Sequence, residues 1–358
     1  MKKIYTVVFA FWTILSGAYS SESDPYTYSH IKLNDSSTYI NSHVQNSIDL
    51  VIKKVNQELS LIGHGNISDN EIEVLFMKTF QKHMRYAPID KIKDHGLEGI
   101  AIGDIEGCIT SNDCPKWPFI ERIILKRGES IYDKVDYNFV TTEYLAPIIN
   151  FCGNRVGADK LTHFLEDGFR FYNLWANGRS MEDVELLSWR EEQFSMGKGF
   201  TEIMSFSDVY ANVSGVNFYK AFFTGAAPLL KLNSKGLIVR HKDVDLCEFT
   251  SDLWDERNPL GGVRYTGKKK TEIYKFIKNQ DFSSDVAKES ILCRGERAKE
   301  FSLFDLDSLI VTFRMVLGGP CGSSDEDGCG ELFYETFSQK NIEIDKRKRD
   351  FNIQIVNE

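Results

Sequence analysis

The chain has 358 residues, of which 42% are hydrophobic, 13% aromatic and 27% charged, and its formal net charge is −9 at pH 7. This composition is typical of a globular protein that buries a sizeable core, and it excludes a largely disordered chain. Phosphate binding requires a basic face, so the acidic balance disfavours nucleic acid and anionic membrane surfaces as partners.

Residues 1–20 are typical of a secretory signal peptide. Lys2 and Lys3 form a short positive segment, residues 4–15 are apolar, and small residues precede a predicted cut after Ser20. The apolar run is shorter than the roughly 20 residues that a helix needs to cross a bilayer. No later segment reaches that length, so we expect a secreted or periplasmic protein without a membrane span.

The remaining chain divides at changes in composition into three regions: 21–140, 141–232 and 233–358. The first begins with a polar leader over residues 21–37 and continues with amphipathic helices, one spanning Val44 to Leu59 and one opened by a capping box of Ser68 and Glu71. The second is the most helical and aromatic, and the third alternates short strands with helices. The predicted fold class is mainly α (α+β), with a helical core in the second region.

All seven cysteines follow the predicted signal peptide, and an oxidising compartment favours disulfides. The simplest scheme forms three pairs: Cys108 with Cys114, Cys247 with Cys293, and Cys321 with Cys329. It leaves Cys152 as a buried thiol and braces the C-terminal extension. A zinc site would need tighter cysteine spacing, so neither a metal nor another cofactor is predicted.

A helix is predicted to begin within residues 157–164 and to run to about Trp175. His163, Glu166, Asp167 and Arg170 share one of its faces. One interpretation is a solvated stripe with an ion pair between Glu166 and Arg170. The other places His163 and Glu166 in a cleft or on a metal.

The next helix is opened by Ser180 and Asp183, which fit a second capping box, and it carries Glu191 and Glu192 in its last turns. A carboxylate there faces the negative end of the helix dipole, and shielding by Trp189 would raise its pKa further. A general acid that protonates a glycosidic oxygen near neutral pH needs that environment. The alternative is a pair of exposed surface glutamates.

The segment after these glutamates reads as a glycine turn, a short extended run over residues 200–206, and a helix capped by Ser205 or Ser207. A helix, a terminal glutamate, a small β-hairpin and a second helix form the local layout of lysozyme-fold active sites. The predicted core is therefore lysozyme-like.

Two blocks, GADKLTHF at 157–164 and TEIMSFSDVYANVSG at 201–215, resemble a poorly characterised family of exported bacterial proteins. That family carries a Thr-Gly-Val-x-Ser-x-Ala-Asp-x-x-Ala-Asn block, and some such proteins of predatory bacteria are similar to lysozyme-fold peptidoglycan hydrolases. The resemblance implies Glu192 as the general acid, with Ser205, Asp208 and Asn212 as supporting polar groups. Here Glu202 stands where the family block has glycine and Ser207 where it has alanine, and a position with positive φ resists the loss of glycine.

These observations predict a lysozyme-like hydrolase that cleaves peptidoglycan or another cell-surface glycan. An acidic enzyme works against the field of an anionic wall, so a de-N-acetylated glycan with free amines would suit it better. The candidate catalytic residues are Glu192, Glu191 and Asp208, and the candidate substrate-binding residues are Ser205, Asn212, Glu202, His163 and Glu166. Glu202 and Asp208 both remain open as the second catalytic carboxylate.

The alternative function is a secreted, non-catalytic adhesion or glycan- or protein-binding module. The position of Glu191 and Glu192 discriminates between the two functions. Exposure of both on a convex face favours the binding module, whereas a groove that places one of them beside residues 200–208 favours the hydrolase.

Overall fold

The computed structural model describes residues 22–62, 67–85, 105–110, 120–135, 145–194, 201–258, 262–265 and 268–279. About 55% of these residues are helical, and the strands form small separate sheets. The predicted fold class, mainly α with some β, is therefore confirmed. The predicted signal peptide lies outside the described residues. Within them, no helix combines the length and the hydropathy that crossing a bilayer requires.

The helices of the described chain are α1 (Ser37–Ile62), α2 (Asp69–Arg85), α3 (Ile105–Thr110), α4 (Ile131–Val135), α5 (Asp159–Thr162), α6 (Gly168–Ala176), α7 (Met181–Phe194), α8 (Phe206–Lys220) and α9 (Lys270–Asn279). A π-helical turn, His163–Asp167, joins α5 to α6, and 3-10 turns occupy Leu246–Glu248 and Asp252–Trp254. The strands are β1 (Glu22–Ser23), β2 (Arg122–Ile123), β3 (Leu145–Ala146), β4 (Ile148–Phe151), β5 (Asn154–Gly157), β6 (Ile203–Ser205), β7 (Leu230–Leu232), β8 (Ile238–Arg240) and β9 (Val263–Tyr265).

The predicted helix starts are confirmed by their caps. The Ser68 N–H donates to Glu71 Oε2 at 2.8 Å, and the Glu71 N–H donates to Ser68 Oγ at 3.4 Å, which completes the capping box of α2. At α7 the Asp183 N–H donates to Ser180 Oγ at 3.0 Å. Ser205, not Ser207, caps α8.

One large buried cluster joins α1, α2 and the helices from α5 to α8, and it includes residues from all three predicted regions. Aromatic rings fill its centre. The Phe80 ring lies 5.8 Å from that of Tyr219 and 5.4 Å from that of Phe222, in edge-to-face contacts. The core therefore fixes α6 and α8 side by side, and the N-terminal turns of α5 and α8 come close together.

The strand before α8 is present, but its partner is distant in sequence. β6 pairs antiparallel with β9, from Ile203 opposite Tyr265 to Ser205 opposite Val263. The described partner of β6 is therefore β9, and not the second strand of the local β-hairpin that was expected after Glu192. Residues 195–200 lie outside the described residues. The described hairpins are β4–β5 and β7–β8, and the composition change near residue 233 falls in the turn of the latter.

The polar leader predicted over residues 21–37 is in fact partly buried structure. β1 pairs in parallel with β3, and Asp24 is buried, where it accepts hydrogen bonds from Ser130 Oγ and the Ile131 N–H. Polar side chains conceal this role in the sequence because they are buried by hydrogen bonding rather than by hydrophobicity.

The disulfide scheme is wrong where the structure tests it. Cys152 is bonded to Cys247, across 95 residues of sequence, so it is not a free thiol and Cys247 does not pair with Cys293. Cys108 is disulfide-bonded, and its predicted partner Cys114 lies outside the described residues, as do Cys321 and Cys329. The bridge ties the β4–β5 turn to the segment that leads into Glu256.

Two glycines allow α6 and α8 to cross in close contact. A Cβ atom on Gly215 would lie 2.0 Å from the Phe164 carbonyl oxygen and 2.7 Å from Gly168 Cα. Both neighbours are backbone atoms, which cannot swing aside as a side chain does. Any side chain at residue 215 must therefore push the two helices apart.

We expect Gly215→Ala to lower the free energy of unfolding by about 2–3 kcal/mol, because overpacking a tight contact displaces the backbone. Chemical denaturation measures the change. Gly107→Ala is the matched control, since a Cβ there meets nothing within 4 Å and the helix α3 favours alanine. Equal stabilities of the two variants would contradict the close crossing.

Candidate active site

A lysine without solvent exposure lies where α5, α8 and the segment after Trp254 meet. Lys160 Nζ is 2.5 Å from Asp159 Oδ2, 2.5 Å from Asp208 Oδ1 and 2.7 Å from Glu256 Oε1. The three carboxylates are also buried. We call Asp159, Lys160, Asp208 and Glu256 the Lys160 cluster. A buried ammonium is tolerated only when such partners replace its hydration.

The fold brings these residues together from distant parts of the chain. Asp159 and Lys160 form the first turn of α5, directly after β5, and Asp208 lies in the first turn of α8. Glu256 follows the 3-10 turn Asp252–Trp254. Burial keeps the Lys160 ammonium from water, but its attraction to Asp159, Asp208 and Glu256 outweighs that cost and raises its pKa well above the ordinary value.

His163 extends the cluster along the helix. Its Nε2 lies 3.2 Å from Asp208 Oδ2, and its Nδ1 lies 3.2 Å from both Asp167 Oδ2 and Asn212 Oδ1. Burial alone would lower the pKa of His163, but Asp208 and Asp167 reverse the shift and raise it well above its ordinary value. The ring is therefore a cation at neutral pH. It lies at the start of the π-helical turn, a distortion that occurs often at functional sites.

Asp208 forms ion pairs with both cations of the site, Lys160 and His163. Burial would raise its pKa, yet His163 and Lys160 outweigh burial and hold the pKa of Asp208 well below its usual range. Its carboxylate therefore stays ionised throughout the physiological range.

The pKa of Glu192 is shifted in the opposite direction to that of Asp208. Its side chain is buried, and its Oε1 accepts a hydrogen bond of 2.9 Å from the Ser205 N–H. Burial and the charge of Asp208 raise the pKa of Glu192 to about 8, against an opposing attraction to His163. At neutral pH this carboxyl holds its proton, as a general acid must.

Asp159 also holds its proton more tightly than usual. Burial raises its pKa to about 7, because repulsion by Asp208 and Glu256 adds to burial while the attraction of Lys160 offsets part of both. The carboxyls around Lys160 and His163 outnumber these two cations, so some must remain protonated to limit the buried negative charge.

Ser205 links the parts of the site. Its Oγ lies 2.8 Å from Ser207 Oγ, 3.0 Å from Asp208 Oδ1 and 2.9 Å from Glu256 Oε1, while its N–H donates to Glu192. One residue therefore contacts both Glu192 and the Lys160 cluster. Asn212 Nδ2 donates to Ser188 Oγ at 2.9 Å and connects the network to α7.

The structure brings together five of the residues singled out in the sequence: Glu192, Asp208, Ser205, Asn212 and His163. It places Glu191 elsewhere, half-exposed and hydrogen-bonded to the Arg170 guanidinium. Arg170 also pairs with Asp167, so its described ion pairs, with Asp167 and Glu191, do not include the half-buried Glu166. His163 is buried, and the solvated-stripe interpretation is wrong for that residue.

Glu202 has a strained backbone conformation. Its φ is 61°, in the left-handed region that favours glycine. A residue other than glycine adopts this conformation at a cost of order 1 kcal/mol. Glu202 and its neighbour Thr201 are both half-buried.

Sequence reasoning missed four residues of the network: Ser23, Asp159, Lys160 and Glu256. Lys160 belongs to the block GADKLTHF, and its place one turn before His163 was an available signal. Ser23 Oγ donates to Glu256 Oε2 at 2.5 Å, although 233 residues separate the two. No local pattern marks a contact between residues so far apart.

Asp159, His163 and Asp208 have ligand atoms within 4.8 Å of one another, close enough to hold a metal ion. Lys160 Nζ is already 2.5 Å from both of the aspartates. Its ammonium therefore takes the place of a cation, and these residues fit a built-in positive charge better than a bound metal.

Comparison of the chain with protein-family models, with curated proteins and with solved structures finds no match. The site is therefore interpreted from its own geometry and charges.

We expect Lys160→Met to lower the free energy of unfolding at neutral pH by about 3–5 kcal/mol, because it leaves buried carboxylates without a counter-charge. The loss should shrink at about pH 5, where the carboxylates can take up protons. Lys242→Met is the control, since Lys242 forms a partly exposed pair with Glu248 that is worth at most about 1 kcal/mol. Equal losses in both variants, measured by denaturation, would contradict the central role of Lys160.

We also expect the protein to lose stability as the pH rises from about 5 to about 8.5. Asp159 and Glu192 have folded-state pKa values of about 7 and about 8, against ordinary values of 3.8 and 4.5. Over this range the unfolded chain releases protons that the folded chain retains, which favours unfolding. The raised pKa of His163 acts in the same direction, since the stability that it adds below its unfolded pKa is lost at higher pH.

Thermal melting across this pH range measures the effect, and Glu192→Gln should flatten the slope because glutamine does not ionise. A melting temperature that stays constant or rises toward about pH 8.5 would show that the carboxyls ionise normally.

Proposed function

We propose that the protein is an exported glycoside hydrolase and that Glu192 is its general acid. The observation that carries the proposal is the contrast between Glu192 and Asp208, two buried carboxyls whose environments drive their pKa values apart. Pairs of titratable groups separated in this way are typical of acid–base catalysis. A lysozyme-like arrangement of α7, β6 and α8 around Glu192 belongs to the same proposal.

In this mechanism Glu192 donates its proton to the glycosidic oxygen as the bond to the anomeric carbon breaks. The Ser205 N–H fixes the direction of the carboxyl. Asp208 is held by Lys160 and His163, so it is a poor base. We assign it a positioning role: its fixed negative charge keeps Glu192 protonated until the substrate accepts the proton.

The proposed substrate is peptidoglycan or a related cell-surface glycan. The net charge of −9 and the excess of carboxyls in the site favour a glycan that carries free amines, such as de-N-acetylated peptidoglycan. Faster release from chemically deacetylated sacculi than from acetylated ones supports this substrate, and equal rates on both would contradict it.

A non-catalytic binding module is the second candidate. Such a module would present its glutamates on an exposed face, and only Glu191 fits that description. Glu192 is buried against Ser205, a residue of the 200–208 segment, which fits the position that the hydrolase requires; the groove that the hydrolase also requires there is part of the proposal.

We expect Glu192→Gln to lower the rate of glycan release by about 100-fold or more, because glutamine keeps the shape of the side chain and removes the proton. Turbidity clearance and chromatography of the released fragments measure the rate. Glu191→Gln is the matched control, since it changes the adjacent residue of the same helix, and it should retain activity. Full activity in Glu192→Gln would exclude Glu192 as the acid, and no release by the unaltered protein from either glycan would favour the binding module.

A further inference from the structure

The N-terminal strap, residues 22–27, packs into the interior of the protein, and residues 23–27 are all buried. Its strand β1 pairs with β3. The Tyr132 hydroxyl donates a hydrogen bond of 3.0 Å to the Ser23 carbonyl oxygen, and Ser130 Oγ donates one of 2.8 Å to Asp24 Oδ2. These contacts fix the backbone of the strap, and with it the direction of the Ser23 side chain.

We propose that Ser23 is a positioning residue, which acts through Glu256 to hold a carboxylate against the buried Lys160 ammonium. The Ser23 hydroxyl donates to Glu256 Oε2 at 2.5 Å, and Glu256 Oε1 lies 2.7 Å from Lys160 Nζ. The two oxygens of one carboxylate are thus divided between the strap and the ammonium. This role concerns the Lys160 cluster itself and does not depend on the proposed hydrolase activity.

Glu256 depends on this donor because it is only 1% exposed, so water cannot replace a lost hydrogen bond freely. Its Oε1 also accepts a hydrogen bond of 2.9 Å from Ser205 Oγ, whereas Ser23 is the donor to its Oε2 among the described residues. A buried acceptor that loses its donor costs more free energy than the hydrogen bond contributed. Without the Ser23 hydroxyl, the Glu256 carboxylate should therefore turn toward other donors and weaken its contact with Lys160.

Ser23 lies directly against the segment that carries Lys160. A Cβ atom on Gly157 would lie 2.6 Å from Ser23 Cβ and 2.8 Å from Ser23 Oγ, so the strap packs on the backbone of this glycine. Gly157 ends β5, and Lys160 follows in the first turn of α5. A residue larger than serine would be displaced by this contact, whereas alanine would fit but has no hydroxyl. The packing therefore favours a small side chain that can still donate to Glu256.

The segment that carries Glu256 is held at other points as well. The bridge between Cys152 and Cys247 lies upstream of Glu256, and the buried Trp254 ring stacks on that of Phe151 at 6.1 Å. These contacts fix the path of the backbone, but none of them sets the direction of the Glu256 carboxylate. Loss of the Ser23 hydroxyl should therefore change the Lys160 cluster while the fold persists.

The first test measures hydrogen exchange of the Lys160 ammonium by nitrogen-15 NMR in the full chain. We expect Ser23→Ala to speed this exchange by about 10-fold or more, because the ammonium loses a charge-assisted contact with Glu256. Ser36→Ala is the matched control, since it removes another buried serine hydroxyl, which donates to the Asn150 carbonyl oxygen at 2.6 Å. That variant should leave the exchange rate of Lys160 unchanged.

The second test asks whether Ser23 acts through Glu256. Repulsion by Glu256 is one of the causes that raise the pKa of Asp159 to about 7. A carbon-13 titration should therefore show a lower pKa of Asp159 in Ser23→Ala, and also in Glu256→Gln. Adding Ser23→Ala to Glu256→Gln should lower it no further, because the carboxylate on which the serine acts is then absent.

A folded Ser23→Ala protein with unchanged exchange of Lys160 and an unchanged titration of Asp159 would overturn the proposal, even if its melting temperature fell. Additive shifts in the double variant would overturn it too, since Ser23 would then act independently of Glu256. If Ser23→Ala does not fold, Ser23→Cys supplies a weaker donor, and exchange as slow as in the unaltered protein would again contradict the role of Ser23. None of these measurements uses a substrate, so their outcome is separate from that of the activity assay.

Discussion

The buried ammonium of Lys160 is the constraint on which the rest of the site depends. Removing a charge from water costs several kcal/mol, and three carboxylates at 2.5–2.7 Å offset that cost here. Those carboxylates come from α5, α8 and the segment after Trp254. The helix crossing at Gly168 and Gly215, and the bridge between Cys152 and Cys247, hold these elements together. The charge centre and the packing therefore stabilise each other.

The charges of Lys160 and His163 also determine which carboxyls of the site are ionised and which keep their protons. Lys160 and His163 both face Asp208, which is why Asp208 is the group that ionises. Among the described residues, Glu192 accepts a hydrogen bond from a backbone N–H, and the attraction of His163 and Lys160 offsets only part of the effect of burial, so its proton is retained. The opposite pKa shifts of Glu192 and Asp208 thus follow from their unequal access to the two cations of the site.

Local patterns were sufficient for the helices and for part of the site. Caps at Ser68, Ser180 and Ser205 were predictable because a cap and its helix are adjacent in sequence. Glu192 and Asp208 were predictable for the same reason, since each occupies a helix end. By contrast, the contact of Glu256 with Ser23 and the Cys152–Cys247 bridge depend on residues distant in sequence, which no spacing rule encodes. The strand partner of Ile203 is 62 positions away, at Tyr265, and was missed for that reason.

The most direct measurement is a carbon-13 titration of the side-chain carboxyls of the folded protein between about pH 4 and about pH 9, compared with Glu192→Gln. We expect one glutamate resonance to titrate near pH 8 and to be absent from the variant, while an aspartate resonance stays ionised throughout. If every glutamate carboxyl titrates below about pH 5, Glu192 is an ordinary carboxylate and cannot act as the acid.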